Sequence, residues 1–521
     1  MKKFNLVRKN TYYDSVSLMV ITKQLKQLEG MDDVSVMMGT PANRVILQEA
    51  NLLAEEGQEA GPNDLILAFR AQPDIDVSWV YSKIDEQLSK KADVNEKAEA
   101  SVMRSATKAY KENTDSNLVI ISVPGEYAAF ETERALNYGK NVFLFSDNVS
   151  IEDEARLKKM AVEKELLVMG PDCGTSIING VGIGFANQVR RGNIALISAS
   201  GTGLQEITCL LDGMGLGISQ AIGTGGRDLK EGIGAITMLK SLEILLNDKQ
   251  TETIILISKP PAKTVVEKIV AKVAGTDKKI ILCFLGAVIE DAPAGVSVAT
   301  TLEEAALQAA ACNKKAAELL TSELILNDYT KRARAKFTPQ QKYVRALYAG
   351  GTLCYEAMLI MEQKLGPIYS NIPFNKDLLT ADVVLAGKNT ATDLGDDQFT
   401  MGRPHPMIDG SLRYEYIAKA AKDPETAVLL LDVVIGYGAD EDPAGDLVPI
   451  LEAAKKSAQA LGNELAIVAY VCGTDLDEQN KAEQIAKLSK AGTLVAKTNA
   501  EAARLAAMIA WGREVSGHDN K

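Results

Sequence analysis

Short runs of aliphatic residues alternate with longer helix-patterned segments over most of this chain, and this alternation limits the fold more than any other feature. Examples of such runs are Leu118–Val123, Val142–Phe145 and Asn193–Ser198. Each run leads into a turn that contains Gly, Pro, Ser or Asp. Alternating strands and helices build parallel sheets with helices on both faces. Aromatic residues make up only 5% of the chain, so small aliphatic side chains must pack the helices onto the sheets. The sequence therefore predicts an α/β protein.

The length of 521 residues is too great for one core, so several domains are expected. The pattern predicts a small N-terminal α+β domain at 1–112 and a Rossmann-like domain at 113–190. Two domains with a shared strand–loop–helix plan follow at 191–315 and 342–513, and we interpret them as two copies of a flavodoxin-like fold. Residues 316–341 are charged and weakly patterned, which predicts a linker.

Charge and hydropathy exclude several classes of protein. The net charge of −12 argues against a nucleic-acid-binding protein, because phosphate contacts need clustered Lys and Arg. The start of the chain has no apolar signal core, and no run of 18 apolar residues occurs. We therefore expect a cytoplasmic protein without a membrane span. The six cysteines are scattered without zinc-type spacing, and a disulfide framework is not expected.

Two glycine loops are candidate anion sites. In the first, Ser200, Gly201, Thr202 and Gly203 end a strand and open a helix, whose free N–H groups suit a phosphate or carboxylate. An ordinary tight turn with a Ser or Thr cap explains the same residues.

The second glycine loop spans Gly223–Leu229. Gly225, Gly226 and Arg227 could form an anion nest. The alternative is a flexible loop with a solvated ion pair.

The stretch from Leu394 to Ser411 concentrates acids, Arg403 and a histidine in one loop. Asp396 and Asp397, with Asp393 nearby, could hold magnesium, which prefers oxygen ligands. The alternative is that these acids cap turns.

The same stretch leads into a helix that starts near Asp409, Gly410 and Ser411, and this start is a further candidate anion site. His405 is a candidate catalytic residue; the alternative is a structural histidine between two prolines.

A third kind of site is predicted where parallel strands end, because ligands of such sheets bind at the carboxyl ends of strands. In the 113–190 segment these ends carry Pro124, Ser146, Asp147, Asn148 and Cys173. Cys173 is a candidate nucleophile, but no histidine is near it in sequence to activate it, so a pocket-lining thiol is the alternative.

Several of these motifs resemble known proteins. Gly170–Cys173 followed by Ser198–Gly203 resembles the α subunit of succinyl-CoA synthetase, and the last domain resembles the ligase domain of its β subunit. Across nearly the whole chain the sequence is similar to the FdrA family. The segments that carry this likeness are Asn10–Leu18, Leu144–Ser150, Gly223–Leu229, Gly350–Cys354 and Pro404–Asp409.

The resemblance implies a site but also shows departures from the synthetases. It implies that 113–190 is a CoA-binding-type domain, and that helices starting at Gly201-Thr202 and at Asp409–Ser411 point at a phosphate. The phosphohistidine loop of the synthetases corresponds to Leu285–Asp291, which contains no histidine. Lys259 stands where they carry a glutamate, and lysine suits a directly held phosphate. The nucleotide-binding ATP-grasp domain is absent.

The resemblance implies three possible activities. The first is a subunit of an oxamate carbamoyltransferase of allantoin degradation, which converts oxalurate and phosphate to oxamate and carbamoyl phosphate. Lys259 and His405 would be its catalytic residues, and other subunits of an oligomeric complex its partners. The second is an acid–thiol ligase subunit that uses CoA, and the third is a non-catalytic scaffold that senses CoA or phosphate. Magnesium is a possible cofactor.

Overall fold

The computed structural model describes most of the chain, in two compact units. The described residues are 2–11, 13, 18, 21, 22, 25, 26, 28, 30–72, 75–83, 103, 105–289, 292–313, 321–400 and 403–511. Unit 1 comprises Met1–Asn117 and Asp397–Asp409, and unit 2 comprises Leu118–Asp396 and Gly410–Lys521. No helix among the described residues is long and apolar enough to cross a membrane.

Unit 1 contains a three-stranded antiparallel sheet in the order β1-β3-β2. Its strands and helices are β1 (Lys2–Arg8), β2 (Met31–Met38), α1 (Pro41–Glu49), α2 (Glu55–Gln58), β3 (Leu65–Ala71) and α3 (Ala106–Glu112), with a further helix at 77–83 and a helical turn at Asp397–Thr400. Successive apolar side chains of β3 lie on opposite faces of the sheet, and each set belongs to a separate apolar cluster. The unit is the small α+β domain that the sequence predicts.

Unit 2 begins with a three-stranded parallel sheet in the order β4-β5-β6. Its elements are β4 (Leu118–Ile121), α4 (Gly125–Asn137), β5 (Asn141–Leu144), α5 (Ile151–Glu163) and β6 (Val168–Met169). The hairpin that follows, β7 (Thr175–Ile178) and β8 (Val181–Gly184), lies within the predicted Rossmann-like segment. It pairs instead with the next sheet, through Ile177 and Ala221.

The next sheet has seven strands in the order β13-β12-β11-β9-β10-β7-β8. Its further elements are β9 (Arg191–Ser198), α6 (Gly201–Gly213), β10 (Ile218–Gly223), α7 (Ile236–Asn247), β11 (Thr253–Ser258), α8 (Lys263–Val273), β12 (Lys279–Phe284), β13 (Val296–Val298) and α9 (Leu302–Cys312). The last sheet has six strands. Its elements are β14 (Tyr343–Tyr348), α11 (Gly351–Leu365), β15 (Ile368–Ser370), β16 (Asn389–Asp393), α12 (Ser411–Ala421), β17 (Thr426–Val434), α13 (Pro443–Ala460), β18 (Ala466–Cys472), α14 (Lys481–Lys490), β19 (Leu494–Ala496) and α15 (Asn499–Ala510).

Both large sheets have the flavodoxin-like strand order 2-1-3-4-5. In the first, β10-β9-β11-β12-β13 gives this order, and in the second β16-β14-β17-β18-β19 gives it, with β15 added at the edge. We call residues 191–312 the first half and 343–510 the second half. The predicted linker contains α10 (Glu323–Arg334), and residues 316–320 lie outside the described residues. The observed architecture confirms the predicted multidomain α/β class.

Candidate functional site

The first glycine loop forms the N-terminus of α6. Ser200 caps this helix, and its Oγ accepts a hydrogen bond from the backbone N–H of Gly203 at 2.9 Å. The same hydroxyl donates to Thr352 Oγ1 at 2.5 Å, although the two residues are 152 positions apart. Ser200 therefore joins the start of α6 in the first half to the start of α11 in the second half.

The N-terminus of α11 faces two buried carboxylates. The backbone N–H groups of Ala349 and Gly350 each donate to Asp432 at 2.7 Å. A Cβ on Gly351 would lie 2.3 Å from Asp393 Oδ2, so only glycine allows this carboxylate to approach the first residue of the helix. The positive end of α11 stabilises nearby negative charge.

A third helix start, that of α12, meets the same carboxylate. Gly410 begins this helix without a side-chain cap, and Ser411 is its first residue. Arg413, which is buried in its first turn, donates from Nη1 to the backbone oxygen of Asp432 at 2.7 Å and to Oδ1 at 3.2 Å. The starts of α11 and α12 thus converge on Asp432, and α6 joins them through Ser200.

Lys259 follows directly after β11 and lies near this convergence. Its Nζ is 5.8 Å from the centroid of the Tyr355 ring on α11. Burial raises the pKa of Asp393 to about 6; the positive charge of Lys259 opposes the rise, while Asp396 and Asp432 add to it. Asp393 can therefore exchange a proton near neutral pH. We name the site formed by Ser200, Thr352, Asp393, Asp432 and Lys259 the helix-start site.

The second glycine loop is tied to α5 by a network of charges. Arg227 donates to the carbonyl oxygen of Val149 at 2.7 Å and lies 3.0 Å from Glu154 Oε2. Buried Lys158 donates to Glu154 and to Asp228, both at 2.8 Å. Arg227 thus already pairs with a carboxylate within the protein, and its predicted contact with a bound anion stays a prediction.

The two glycines of this loop fit closely against the turn that follows β6. A Cβ on Gly225, whose φ is +86°, would lie 2.3 Å from the carbonyl oxygen of Pro171. On Gly226 it would lie 3.3 Å from Asp172 Oδ2. The loop therefore packs tightly against the turn at Pro171 and Asp172.

The turns that carry the predicted strand-end pocket contact one another, and the pocket itself stays a prediction. The turn at Pro124 and Gly125 lies against Asp147 and Asn148, since a Cβ on Gly125 would be 2.3 Å from the Asp147 carbonyl oxygen and 2.6 Å from that of Asn148. Ser146 accepts a hydrogen bond at its backbone oxygen from the Asp172 N–H at 3.0 Å.

The thiol of Cys173, in the same set of turns, is buried and not activated. Its Sγ lies 3.7 Å from the backbone oxygen of Thr175, and burial raises its pKa to about 12. A thiol in this state is a poor nucleophile, which favours the pocket-lining alternative.

His405, the second predicted catalytic residue, belongs to unit 1, as do Asp397 and Asp409. Its Nδ1 accepts a hydrogen bond from the Met407 N–H at 3.2 Å, and burial lowers its pKa to about 4. The imidazole is therefore neutral at pH 7. Asp409 Oδ2 lies 3.9 Å from Lys26 Nζ.

The predicted magnesium ligands do not form a cluster. Asp396 falls in unit 2, whereas Asp397 falls in unit 1. Nowhere in the described part of the chain do three His, Cys, Asp or Glu side chains form a group that could hold a metal ion. Magnesium stays a prediction without a defined site.

Sequence reasoning missed Asp432, Thr352 and Arg413. A signal for Asp432 was present, because it is the one charged residue in the otherwise apolar strand β17 and is fully buried. Acids in such strands need partners, and three donors supply them here. Thr352 and Arg413 gave no comparable signal, because both stand among the mixed residues of a first helical turn.

Comparisons with known proteins show which families the chain is similar to. Residues 347–509 match the CoA-ligase family, and residues 1–104 match the heavy metal-associated domain of AllF. The chain is 42% identical over 504 residues to the uncharacterized protein YahF of Escherichia coli (strain K12), covering 96% of this chain and 97% of YahF. The chain belongs to the family of YahF. Membership of the FdrA family stays a prediction.

A second group of relatives consists of CoA ligases. The α subunit 2 of the ADP-forming succinate–CoA ligase of Archaeoglobus fulgidus is 29% identical over 147 residues, which cover 27% of this chain and 50% of that subunit. The chain thus spans half the length of this relative. A solved structure of acetyl-coenzyme A synthetase 1 from Ca. Korarchaeum cryptofilum is 16% identical, with a TM-score of 0.28 over 76% of this chain and 83% of that one. The matched segments of the chain are thus similar to CoA ligases.

Proposed function

We propose that the chain transfers an acyl group between phosphate and a second acceptor, with phosphate held at the helix-start site. The observation that carries this proposal is the convergence of the starts of α6 and α11, joined by the 2.5 Å hydrogen bond between Ser200 and Thr352. The first N–H groups of a helix have no partner within the helix, and those not already bonded to Ser200 or Asp432 would favour a phosphate dianion. Lys259 adds a positive charge beside them.

The reaction would be acyl-CoA plus phosphate giving acyl phosphate plus CoA. A phosphate oxygen attacks the carbonyl carbon, the C–S bond breaks, and the proton of the phosphate ends on the CoA thiol. CoA is the first acceptor to consider because of the similarity to CoA ligases. The strand-end pocket of Pro124, Ser146–Asn148 and Cys173 is the proposed place for it.

A histidine carrier is not part of this proposal. The whole chain has two histidines, of which His405 lies partly buried in unit 1 and His518 lies outside the described residues. Phosphate would therefore react directly with the acyl donor. We propose that nucleotide-dependent steps belong to partner chains.

A second candidate is the carbamoyl transfer from oxalurate to phosphate. The match of residues 1–104 to a domain of AllF favours it, as does the lack of a histidine in the described part of unit 2. Here a C–N bond breaks, and the leaving nitrogen needs a proton, which Asp393 is placed to exchange.

Phosphorus-31 NMR on the chain purified with its native partner chains tests both candidates. Acyl phosphate formed from acyl-CoA supports the first, and carbamoyl phosphate formed from oxalurate supports the second. The variant Lys259→Ala should abolish either activity, whereas Lys263→Ala, which removes an exposed lysine at the start of α8, should not. Equal activity of the two variants would contradict a phosphate at the helix-start site.

A further inference from the structure

The N-terminal domain matches a heavy metal-associated domain but lacks the side chains that bind heavy metals. Copper and zinc sites in proteins are built chiefly from Cys thiolates and His imidazoles. Residues 1–104 contain neither, since the first cysteine of the chain is Cys173 and the first histidine is His405. The donor set of this domain therefore does not fit the metal that the domain's description implies.

Among the described residues of the domain, the methionines of β2 do not replace those ligands. A copper(I) site can use thioether sulfurs when several converge. Met31 and Met38 pack against the apolar cluster on one face of the sheet, whereas Met37 packs against the cluster on the other face. The thioethers of β2 are thus divided between two cores.

The carboxylates of the sheet are already paired with groups of the same domain. Asp32 pairs with Arg70. Asp33 Oδ1 accepts a hydrogen bond from the Val34 N–H at 2.9 Å and lies 3.6 Å from Lys26 Nζ. Neither carboxylate is available as a ligand without losing these partners.

The third carboxylate, Asp64, closes the loop that follows β1. Its Oδ2 accepts from Lys9 Nζ and from the Gly61 N–H, both at 2.8 Å, and its Oδ1 accepts from the Asn10 N–H at 3.0 Å. Two segments far apart in sequence, 9–10 and 61–64, are thereby fixed to one buried side chain.

We propose that this domain is a metal-free form of the heavy metal-associated fold, in which the Asp64 carboxylate holds the loop after β1 and no heavy metal binds. This assignment concerns unit 1 alone and does not depend on the acyl-transfer proposal.

Hydrogen exchange of the full-length chain, read by mass spectrometry, tests the proposal. Zn²⁺, Cd²⁺ and Cu⁺ are added in turn to the Cys312→Ser variant, which removes the exposed thiol among the described cysteines. Exchange in residues 1–104 should be unchanged by each metal. Metal-dependent slowing of exchange in peptides from this range would overturn the proposal.

A second pair of variants tests the role of the carboxylate. Asp64→Asn should speed exchange in segments 8–11 and 61–65 by at least about fivefold, as expected for the loss of charge-assisted hydrogen bonds. Glu59→Gln removes an exposed acid nearby and should leave these segments unchanged. Exchange in Asp64→Asn that equals the wild type, or that a metal restores, would overturn the assignment.

Discussion

The two halves of unit 2 have the same strand order but differ where chemistry would occur. Each begins with a strand, a glycine–threonine turn and a helix, at Ser198–Thr202 and Tyr348–Thr352. The first helix has a side-chain cap from Ser200, whereas the second starts at Gly350 and faces carboxylates instead. In the first half β11 is followed by Lys259, whereas β17, which has the corresponding place in the second sheet, is followed by the buried Ile435. The comparison teaches that two halves with the same strand order can differ in the single residues at their strand ends, where a ligand would bind.

The halves also resemble each other in how they are joined. Glu206 and Glu356 each lie six positions after the cap of their helix. Glu356 Oε1 accepts from the Leu302 N–H of α9 in the first half at 2.6 Å, and Glu206 Oε1 accepts from the Asn499 N–H of α15 in the second half at 3.4 Å. Each half therefore supplies a buried carboxylate to a helix start of the other.

The largest effect is expected from Asp432→Ala, which removes the acceptor for the starts of α11 and α12. The variant leaves two backbone N–H groups without their acceptor and the Arg413 charge without its carboxylate, although Arg413 keeps its bond to the backbone oxygen of residue 432. Breaking such a buried pair typically costs about 3–5 kcal/mol. Denaturant titration of the variant and the wild type measures this change in the free energy of unfolding. The exposed Asp475, replaced by alanine, is the control and should change stability little. A loss below about 1 kcal/mol from Asp432→Ala would contradict the proposed arrangement.

The next effect concerns the two joining carboxylates. Burial raises the pKa of Glu206 to about 7 and that of Glu356 to about 8, from a usual 4.5. Groups with raised folded-state pKa stabilise the protein below pH 4.5, and this stability is lost as pH rises toward 7 and 8. Between pH 5 and 8 the free energy of unfolding of the wild type should fall, and Glu356→Gln should make this fall smaller by about 1–3 kcal/mol.

The matching variant Glu206→Gln should act in the same direction, over a window ending about one pH unit lower. If either variant keeps the full wild-type decrease in stability, that carboxylate is ionised in the folded protein and the comparison of the halves fails there.

A smaller effect is expected at the helix-start site, where only the second half provides a buried acid with a pKa near 6. Ionised Asp393 repels a phosphate dianion, so phosphate should bind more weakly as pH rises through about 6. Asp393→Asn should remove this dependence, which we expect to be about tenfold. Calorimetric titration with inorganic phosphate between pH 5 and 8 measures it. A pH profile unchanged in the variant would place phosphate elsewhere.

The smallest effect should come from Ser200→Ala, which makes the first half resemble the second by removing the cap of α6. Loss of an N-cap hydrogen bond costs about 1 kcal/mol. Thr352→Val removes the acceptor of the same contact and leaves the cap. If the contact between the halves matters beyond the cap, the double variant will be less destabilised than the sum of the single variants.

The sequence predicted the scaffold well because alternating aliphatic strands and glycine turns determine a doubly wound sheet. The pattern is a poor guide at β16. The aliphatic run Val383–Ala386 is more typical of a strand than the residues after it, but the structure places the strand at Asn389–Asp393. Asn389 and Thr390 stay buried there because their side chains are bonded, Asn389 Oδ1 to the Val344 N–H at 3.0 Å and Thr390 Oγ1 to the Val383 carbonyl at 2.7 Å.

Ser200 and Lys259 could be proposed from the sequence because they stand at strand ends, where position alone indicates a candidate site, and their roles stay predictions. The contacts of Asp432 could not be predicted, because they depend on which helix starts meet across the two halves. The pairing of Arg227 with Glu154 was likewise hidden, since 73 positions separate them in sequence and only packing of α5 against the loop brings them together.

The carboxylates of Glu206 and Glu356, each bonded to a helix start of the other half, limit how the sequence of either half can change. A polypeptide cut between the halves would leave each fragment with a helix start that lacks its carboxylate acceptor and an acid that lacks the backbone N–H donor of the other half. Neither fragment would be self-sufficient, and each would recover its missing group only from the other. Substitutions at these positions in one half are therefore constrained by the other half.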